Sequence, residues 1–387
     1  MIKKKITYLV IGESPISGIF KSQLYEPYRH LGEVFQIKIL FLVNPYLWLK
    51  NREEISILRG SLKDIEIVIV PFQLVPERYM RLGSLPTRIG NCWNRLVLKI
   101  LDKRNILTAD IAVARSYYAA HALSENVLRS TVKVFDPRSI YPLERYSHGY
   151  LRSKDLYEYW LLWESKKIKK FNSVITVSRG MTDYYKSFND SVTEIALSSG
   201  MKTRQAINRP SINTSLQLVY WGSLVHSSHN NSWLHYEARL KQLSRLIDIK
   251  IEVDFFVPYI DDRIQQEMGT NNLEIRFIKG LFDLDVSKYH GAIYFLPDSL
   301  DSFSRLGIKT VEYLSQNLPI IFDSGISEQV SELLTQNNAG CDIKDLDLNL
   351  FGSFLNGPIQ VYDENFGTHR SLKKLKNLYE NLGSKGF

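Results

Sequence analysis

The sequence predicts an α/β protein built on two parallel sheets, and three observations carry that expectation. Short apolar, β-branched runs alternate with helical stretches from end to end, the pattern of repeated strand-helix-strand units. At 387 residues the chain is too long for one compact core and suits two domains of about 150–200 residues each. The strands fall into two series, parted by a segment rich in Asn, Ser and Thr with a single Pro.

The first series comprises strands at Ile6 to Ile11, Gln36 to Leu42, Ile65 to Pro71, Ile111 to Ala114, Val132 to Phe135, Val174 to Val177 and Glu194 to Leu197. The second comprises Gln217 to Tyr220, Ile251 to Phe256, Glu274 to Ile278, Ala292 to Phe295 and Leu318 to Phe322. The domains then span 1–202 and 216–366, joined by a linker at 203–215. A closing basic helix over about 367–387 carries Leu372, Leu375, Leu378 and Leu382 and needs an apolar surface, which either domain could supply.

Composition sets the class. A hydrophobic share of 44% and a charged share of 23% are those of a globular protein and argue against disorder. The two cysteines, Cys92 and Cys341, have no metal-ligand spacing, which points to a reducing compartment without disulfides. The lysines at 3–5 open like a signal peptide, but Glu13, Ser14 and Pro15 break the apolar run, so it reads as a first strand. No run approaches the ~20 apolar residues of a membrane span. The expected location is the cytoplasm, with the inner face of the plasma membrane left open by the charge pattern. Net charge is +8, and Arg78 to Arg104 gathers seven of the cations against Asp102 alone, with Tyr79, Trp93 and aliphatics interleaved. Such a helix either lies on anionic lipid or packs, solvated, on the sheet. Nucleic-acid binding would rest on net charge alone and is not expected.

In open α/β sheets ligands sit beyond the carboxyl ends of strands, so the residues there are the site candidates. After the first strand comes the two-glycine loop Gly12-Glu13-Ser14-Pro15-Ile16-Ser17-Gly18, without a G-x-G-x-x-G pattern. Arg115-Ser116-Tyr117-Tyr118 follows the fourth strand and Asp136-Pro137-Arg138 the fifth. Arg115 and Asp136 are separated by one strand-helix-strand step and so fall side by side. They form either a pocket for a hydroxyl-rich or phosphorylated ligand or a salt bridge closing the sheet edge. In the second series Val219-Tyr220-Trp221-Gly222-Ser223-Leu224 supplies a glycine loop. His226 and His229 lack flanking ligands for a metal, and the Asp283/Asp285 and Asp345/Asp347 pairs sit in turn-rich surroundings where Asp caps helices.

The most informative stretch is Ser302 to Asp323. A helix opens near Gly307, closes at Asn317, and is followed by the buried strand that Pro319 begins. Lys309 and Glu312, three apart, share a face of that helix, either as an exposed ion pair or as a site. A cation beside free helix N–H groups suits phosphate, and a carboxylate one turn on suits vicinal hydroxyls such as those of a ribose.

The wording of this stretch, Ile308-Lys309, Glu312-Tyr313-Leu314 and Leu318-Pro319-Ile320-Ile321, resembles the donor-binding signature of retaining glycosyltransferases of the GT-B fold. The strings ADIAVARSYYAA (109–120), VFDPRSIYPLE (134–144) and FNSVITVSRGMTDYY (171–185) resemble successive segments of the acceptor domain in family-4-type bacterial members. The resemblance implies two Rossmann-like domains facing a central cleft, with the closing helix on the first. It also implies transfer, with retention, from a nucleotide-sugar to a glycan or lipid-linked acceptor in surface-polysaccharide synthesis, without metal or other cofactor. Lys309, Arg115 and Asp136 are then the catalytic candidates. Gly222, Ser223, Ser304, Arg305, Gly307, Lys309, Glu312 and Glu328 would bind the donor, although Glu328 also suits helix capping. Ser17, Gly18, Arg115, Tyr117 and Arg138 would bind the acceptor.

The chain departs from that family in three places. Serine 304 stands where an acid eight residues before Glu312 is usual, Arg115 where many members have His, and no fixed cation follows Gly222. These departures keep open a nucleotide-sugar-binding subunit without turnover, and the same fold also hosts nucleotide-sugar epimerases.

Overall fold

The computed structural model describes residues 3–17, 20–124, 131–151, 153–199, 201, 203–204, 211–226, 232–260, 262–265, 272–280 and 284–384. Gly18, His229, Asp283 and part of the expected linker lie outside them. The chain divides into two compact units, Met1–Gly200 with Thr368–Phe387, and Met201–Gly367.

The first unit holds a seven-stranded sheet of β1 (Lys5–Ile11), β2 (Gln36–Leu42), β3 (Ile65–Val70), β4 (Ile111–Arg115), β5 (Val132–Asp136), β6 (Ser173–Thr176) and β7 (Val192–Glu194). Its spatial order is β3-β2-β1-β4-β5-β6-β7, and the neighbours pair in parallel. Six of the seven β1 residues are buried, because helices cover both faces of a parallel sheet. Ile6, Tyr8 and Val10 pack on one face with Ile37, Ile39, Phe41, Ile111 and Val113. The closing helix Thr368–Ser384 lies on that same face, burying Leu375 and Tyr379. Tyr379 meets Tyr28 hydroxyl to hydroxyl at 2.5 Å, and Ser371 Oγ donates to the Ala196 carbonyl at 2.9 Å.

The second unit repeats the plan with β8 (Ser215–Trp221), β9 (Lys250–Val257), β10 (Leu273–Lys279), β11 (Gly291–Tyr294), β12 (Ile320–Phe322) and β13 (Gly340–Asp342), ordered β10-β9-β8-β11-β12-β13. All pairings are again parallel. In both sheets the order reverses beside the first strand, between β1 and β4 and between β8 and β11. Such a reversal leaves a crevice beyond the strand ends where ligands bind.

Two elements differ from expectation. β7 ends at Glu194 instead of beginning there, because Val192 and Thr193 ladder onto Val174 and Ile175 while Ile195 and Leu197 are buried by packing. β13 is a three-residue strand opened by glycine, too short and too poor in β-branched residues to stand out.

The helix Ser84–Lys103 buries Thr87, Asn91, Asn94, Val97, Leu98 and Leu101. Its outer face shows Leu85, Ile89, Leu96 and Ile100, each 44–67% exposed, beside the exposed Phe72, Leu74, Tyr79 and Leu82. Among the described residues, no helix is long and apolar enough to cross a membrane.

Candidate functional site

In the second unit the switch point gathers four residues. Gly222 follows β8 with φ +141°, and a β-carbon there would stand 2.7 Å from Lys309 Cε and 3.3 Å from its Nζ, so the lysine lies directly on the glycine loop. Lys309 Nζ is 2.7 Å from Glu312 Oε2, and Trp221 Nε1 donates to the same oxygen at 2.9 Å. The Trp221 amide donates to the Tyr313 hydroxyl at 3.3 Å, fixing the strand end to the helix Ile308–Ser315. The lysine and glutamate side chains are 20% and 17% exposed, so this is a sheltered cluster and not a pair on open surface.

Gly307 opens that helix at φ +68°, where a β-carbon would run into the Tyr294 hydroxyl, and no side chain caps the helix. Burial pushes the Tyr294 phenol up to about 12, so it is a neutral hydroxyl beneath the turn. Thr310 Oγ1 is buried without a hydrogen-bond partner. An uncapped helix start, an ammonium and a carboxylate can together hold an anion and a diol.

The other expected donor residues sit around this cluster in different roles. Arg305 is buried and donates to Asp301, to the Pro297 carbonyl at 2.6 Å and to Ser299, which makes it a fastener of its own loop and corrects its reading as a donor-binding cation. Ser304 is buried, its hydroxyl donating to the Asp301 carbonyl at 2.9 Å. Ser223 is exposed, and its carbonyl accepts from the Tyr220 hydroxyl at 2.7 Å. Glu328 is the exposed first residue of the helix Glu328–Gln336, behind the capping Ser327. Asp285 and Asp347 also cap turns. Among the described residues no three His, Cys, Asp or Glu side chains gather as a metal set.

In the first unit Arg115 and Asp136 are register partners at the ends of β4 and β5. They do not bridge each other. Asp136, 1% exposed, takes the Tyr8 hydroxyl and stands 2.9 Å from Arg138 Nε, while Arg115 Nε stands 3.6 Å from Glu13. Gln23 joins the two arginines: its side-chain oxygen accepts from Arg115 at 3.0 Å and its carbonyl from Arg138 at 3.2 Å. Ser116 and Arg138, the first residues after their strand ends to turn, are held at φ +72° and +62°. Burial pushes the Glu13 carboxyl up, opposed by Arg115.

Around them lies a cavity of about 390 Å³ whose lining includes Glu13, Gln23, Arg81, Arg115, Arg138 and Arg145. Ser17 lines a separate groove with Pro15, Tyr25 and Leu58. Tyr117 corrects another expectation. It is fully buried, its hydroxyl bonded to Glu164 and Tyr185, so it belongs to the core beneath the helix and not to a ligand surface. Sequence reasoning passed over Trp221, Gln23, Arg81 and Arg145. Of these only Trp221 had a signal, its place at a strand end.

No family model matches the chain, and no curated protein is similar to it. Solved structures do resemble it in fold, which is that of GT-B glycosyltransferases. TarM is similar over 97% of this chain and 98% of its own, at 10% identity and a TM-score of 0.65. A Staphylococcus aureus TarM variant in complex with fondaparinux, alpha-GlcNAc-glycerol and UDP is similar over 97% and 99%, at 11% identity and a TM-score of 0.62. A putative UDP-N-acetylglucosamine 2-epimerase from Listeria monocytogenes is similar over 98% of both chains, at 10% identity and a TM-score of 0.57.

Proposed function

We propose that the chain is a glycosyltransferase that moves a sugar, with retention, from a nucleotide-sugar to a glycan or lipid-linked acceptor in surface-polysaccharide synthesis. The observation that carries this is the cluster of Gly222, Lys309, Glu312 and Trp221 at the switch point of a GT-B second unit. As the bond from anomeric carbon to phosphate breaks, negative charge builds on the leaving diphosphate. Lys309 and the uncapped amides after Gly307 stabilise it, and Lys309 exchanges its contact with Glu312 for a phosphate oxygen. Glu312, held by Trp221, accepts hydrogen bonds from the nucleotide ribose. Arg115, Asp136 and Arg138 belong to the acceptor edge of the first unit. No metal is needed for this scheme.

The helix Ser84–Lys103 adds a location. Its apolar outer stripe is flanked by Arg78, Arg88, Arg95, Lys99 and Lys103, a pattern that supports contact with an anionic lipid surface at the inner face of the plasma membrane.

The test is transfer, or slow donor hydrolysis, by wild type against Lys309→Ala, with UDP-sugars tried first because a similar structure holds UDP. A fall beyond about tenfold, 1.4 kcal/mol of barrier, is expected, and retention within about threefold overturns the leaving-group role. Donor binding without turnover across a broad acceptor panel would select a non-catalytic binding subunit instead. Donor conversion without any acceptor would select an epimerase.

A further inference from the structure

The cavity at the β1–β4–β5 edge is built with more donors than the protein satisfies. Arg115 is 4% exposed, yet its Nε and Nη1 are buried without a hydrogen-bond partner. Its Nη2 donates to Gln23, its Nε lies 3.6 Å from Glu13 in an ion pair, and its guanidinium carbon sits 5.0 Å from the Phe20 ring centre. Arg145 Nε is also buried without a hydrogen bond, its guanidinium 5.0 Å from the Tyr150 ring centre and 5.8 Å from that of Tyr141. Among the described residues Arg145 stands in no ion pair. Ser116 Oγ, on the same wall, is a fourth buried polar atom without a hydrogen-bond partner. Buried donors left unmade cost stability, about 1–3 kcal/mol each and more when charged, so four in one cavity point to a ligand rich in acceptors.

The remaining charges set what else that ligand carries. Arg81 is taken up by Glu77, and Arg138 by Asp136. Glu13 and Glu144 face the same space and would repel a bare anion, but they are ready acceptors for hydroxyl hydrogens. A volume of about 390 Å³ is an order of magnitude above the ~30 Å³ share of one water, enough for one sugar ring with a charged substituent.

We propose that this cavity binds one sugar unit of the acceptor bearing an anionic group, a phosphate ester or a carboxylate. Arg115 Nη1, Arg145 and Ser116 Oγ receive the anion, and Glu13 and Glu144 receive the ring hydroxyls. This rests on the glycosyltransferase reading and narrows it: the acceptor carries a charged sugar unit.

The experiment is calorimetric titration of the full chain with glucose 6-phosphate, glucuronate, inorganic phosphate and glucose as probes, with UDP as a separate arm. Binding of glucose 6-phosphate above glucuronate assigns a phosphate ester, and the reverse assigns a carboxylate. Arg145→Gln weakens whichever binds by on the order of tenfold and leaves UDP binding unchanged. Arg115→Lys, if it folds, weakens it as well, because an ammonium cannot present the planar fork. Equal binding of glucose, inorganic phosphate binding as well as either charged sugar, or no charged sugar binding at millimolar concentration while UDP still binds, overturns the proposal. Charged-sugar binding without any UDP binding leaves the cavity standing and counts against the donor site instead.

Discussion

Lys309 lies against Gly222 so closely that a β-carbon on the glycine would stand 2.7 Å from the lysine Cε, and the two are brought together because they follow β8 and β11, neighbouring parallel strands of the second unit. Gly222→Ala therefore has two costs: a strained φ of +141° and a displaced lysine. Donor turnover should fall in Gly222→Ala about as far as in Lys309→Ala. Because the clash vanishes once the lysine is trimmed, the double variant should lose much less than the sum of the two single losses. Fully additive losses would show that the glycine acts independently of the lysine.

Glu164 is fully buried among tyrosines, accepting from Tyr117 and from Tyr184 at 2.8 Å. Burial lifts its carboxyl to about 7, against the opposing pull of those hydrogen bonds. The folded state thus holds a proton that the unfolded state releases from about pH 4.5 upward. Stability from this group is complete below that value and drains away as pH rises to about 7, by on the order of 3 kcal/mol. Denaturant melts of wild type between pH 4.5 and 7 should show that decline, and Glu164→Gln should flatten it. An equal decline in the variant would place the titrating group elsewhere.

The closing helix is anchored by Tyr379, fully buried and paired with the Tyr28 hydroxyl. Tyr379→Ala should destabilise the first unit by about 3–5 kcal/mol, the usual range for emptying a large aromatic site. Limited proteolysis should then cut near Thr368 ahead of other sites. Unchanged melting and unchanged cleavage would mean that the helix adds nothing to this core.

Replacing Leu85, Ile89 and Leu96 together with Glu removes the outer stripe of the helix Ser84–Lys103 without touching its buried side. Wild type should co-sediment with phosphatidylserine-containing vesicles, less so as salt screens the cations, and the triple variant should remain in the supernatant. Wild type that stays unbound on such vesicles sinks the lipid contact.

Much of this was legible because parallel strands covered on both faces read as continuous apolar runs. Gln36–Leu42 needed only that signal, and the spacing of Arg115 and Asp136 placed them on adjacent strand ends. Their partners were not legible. Glu13 and Gln23 reach Arg115 from a loop and a helix some ninety or more positions away in the chain, and side-chain reach of that kind leaves no period. Tyr117 was misread because the helix that begins right after β4 is buried on every side from Tyr117 to Ser124. Arg305 carried a warning, since Asp301 stands one helical turn before it and the two pair at 3.2 Å.

The left-handed turns at Ser116 and Arg138 divide in what they permit. Each backbone sits where an L-residue is disfavoured by about 1 kcal/mol, so glycine would relax either one. At Ser116 the exchange would remove only the hydroxyl proposed to meet the anion, a loss to binding and not to the fold, so selection for heat resistance alone could take it. At Arg138 the same exchange would strip buried Asp136 of its counter-ion, a loss several times the relief. Laboratory evolution toward thermotolerance should therefore drift at one of these two corners and stay fixed at the other.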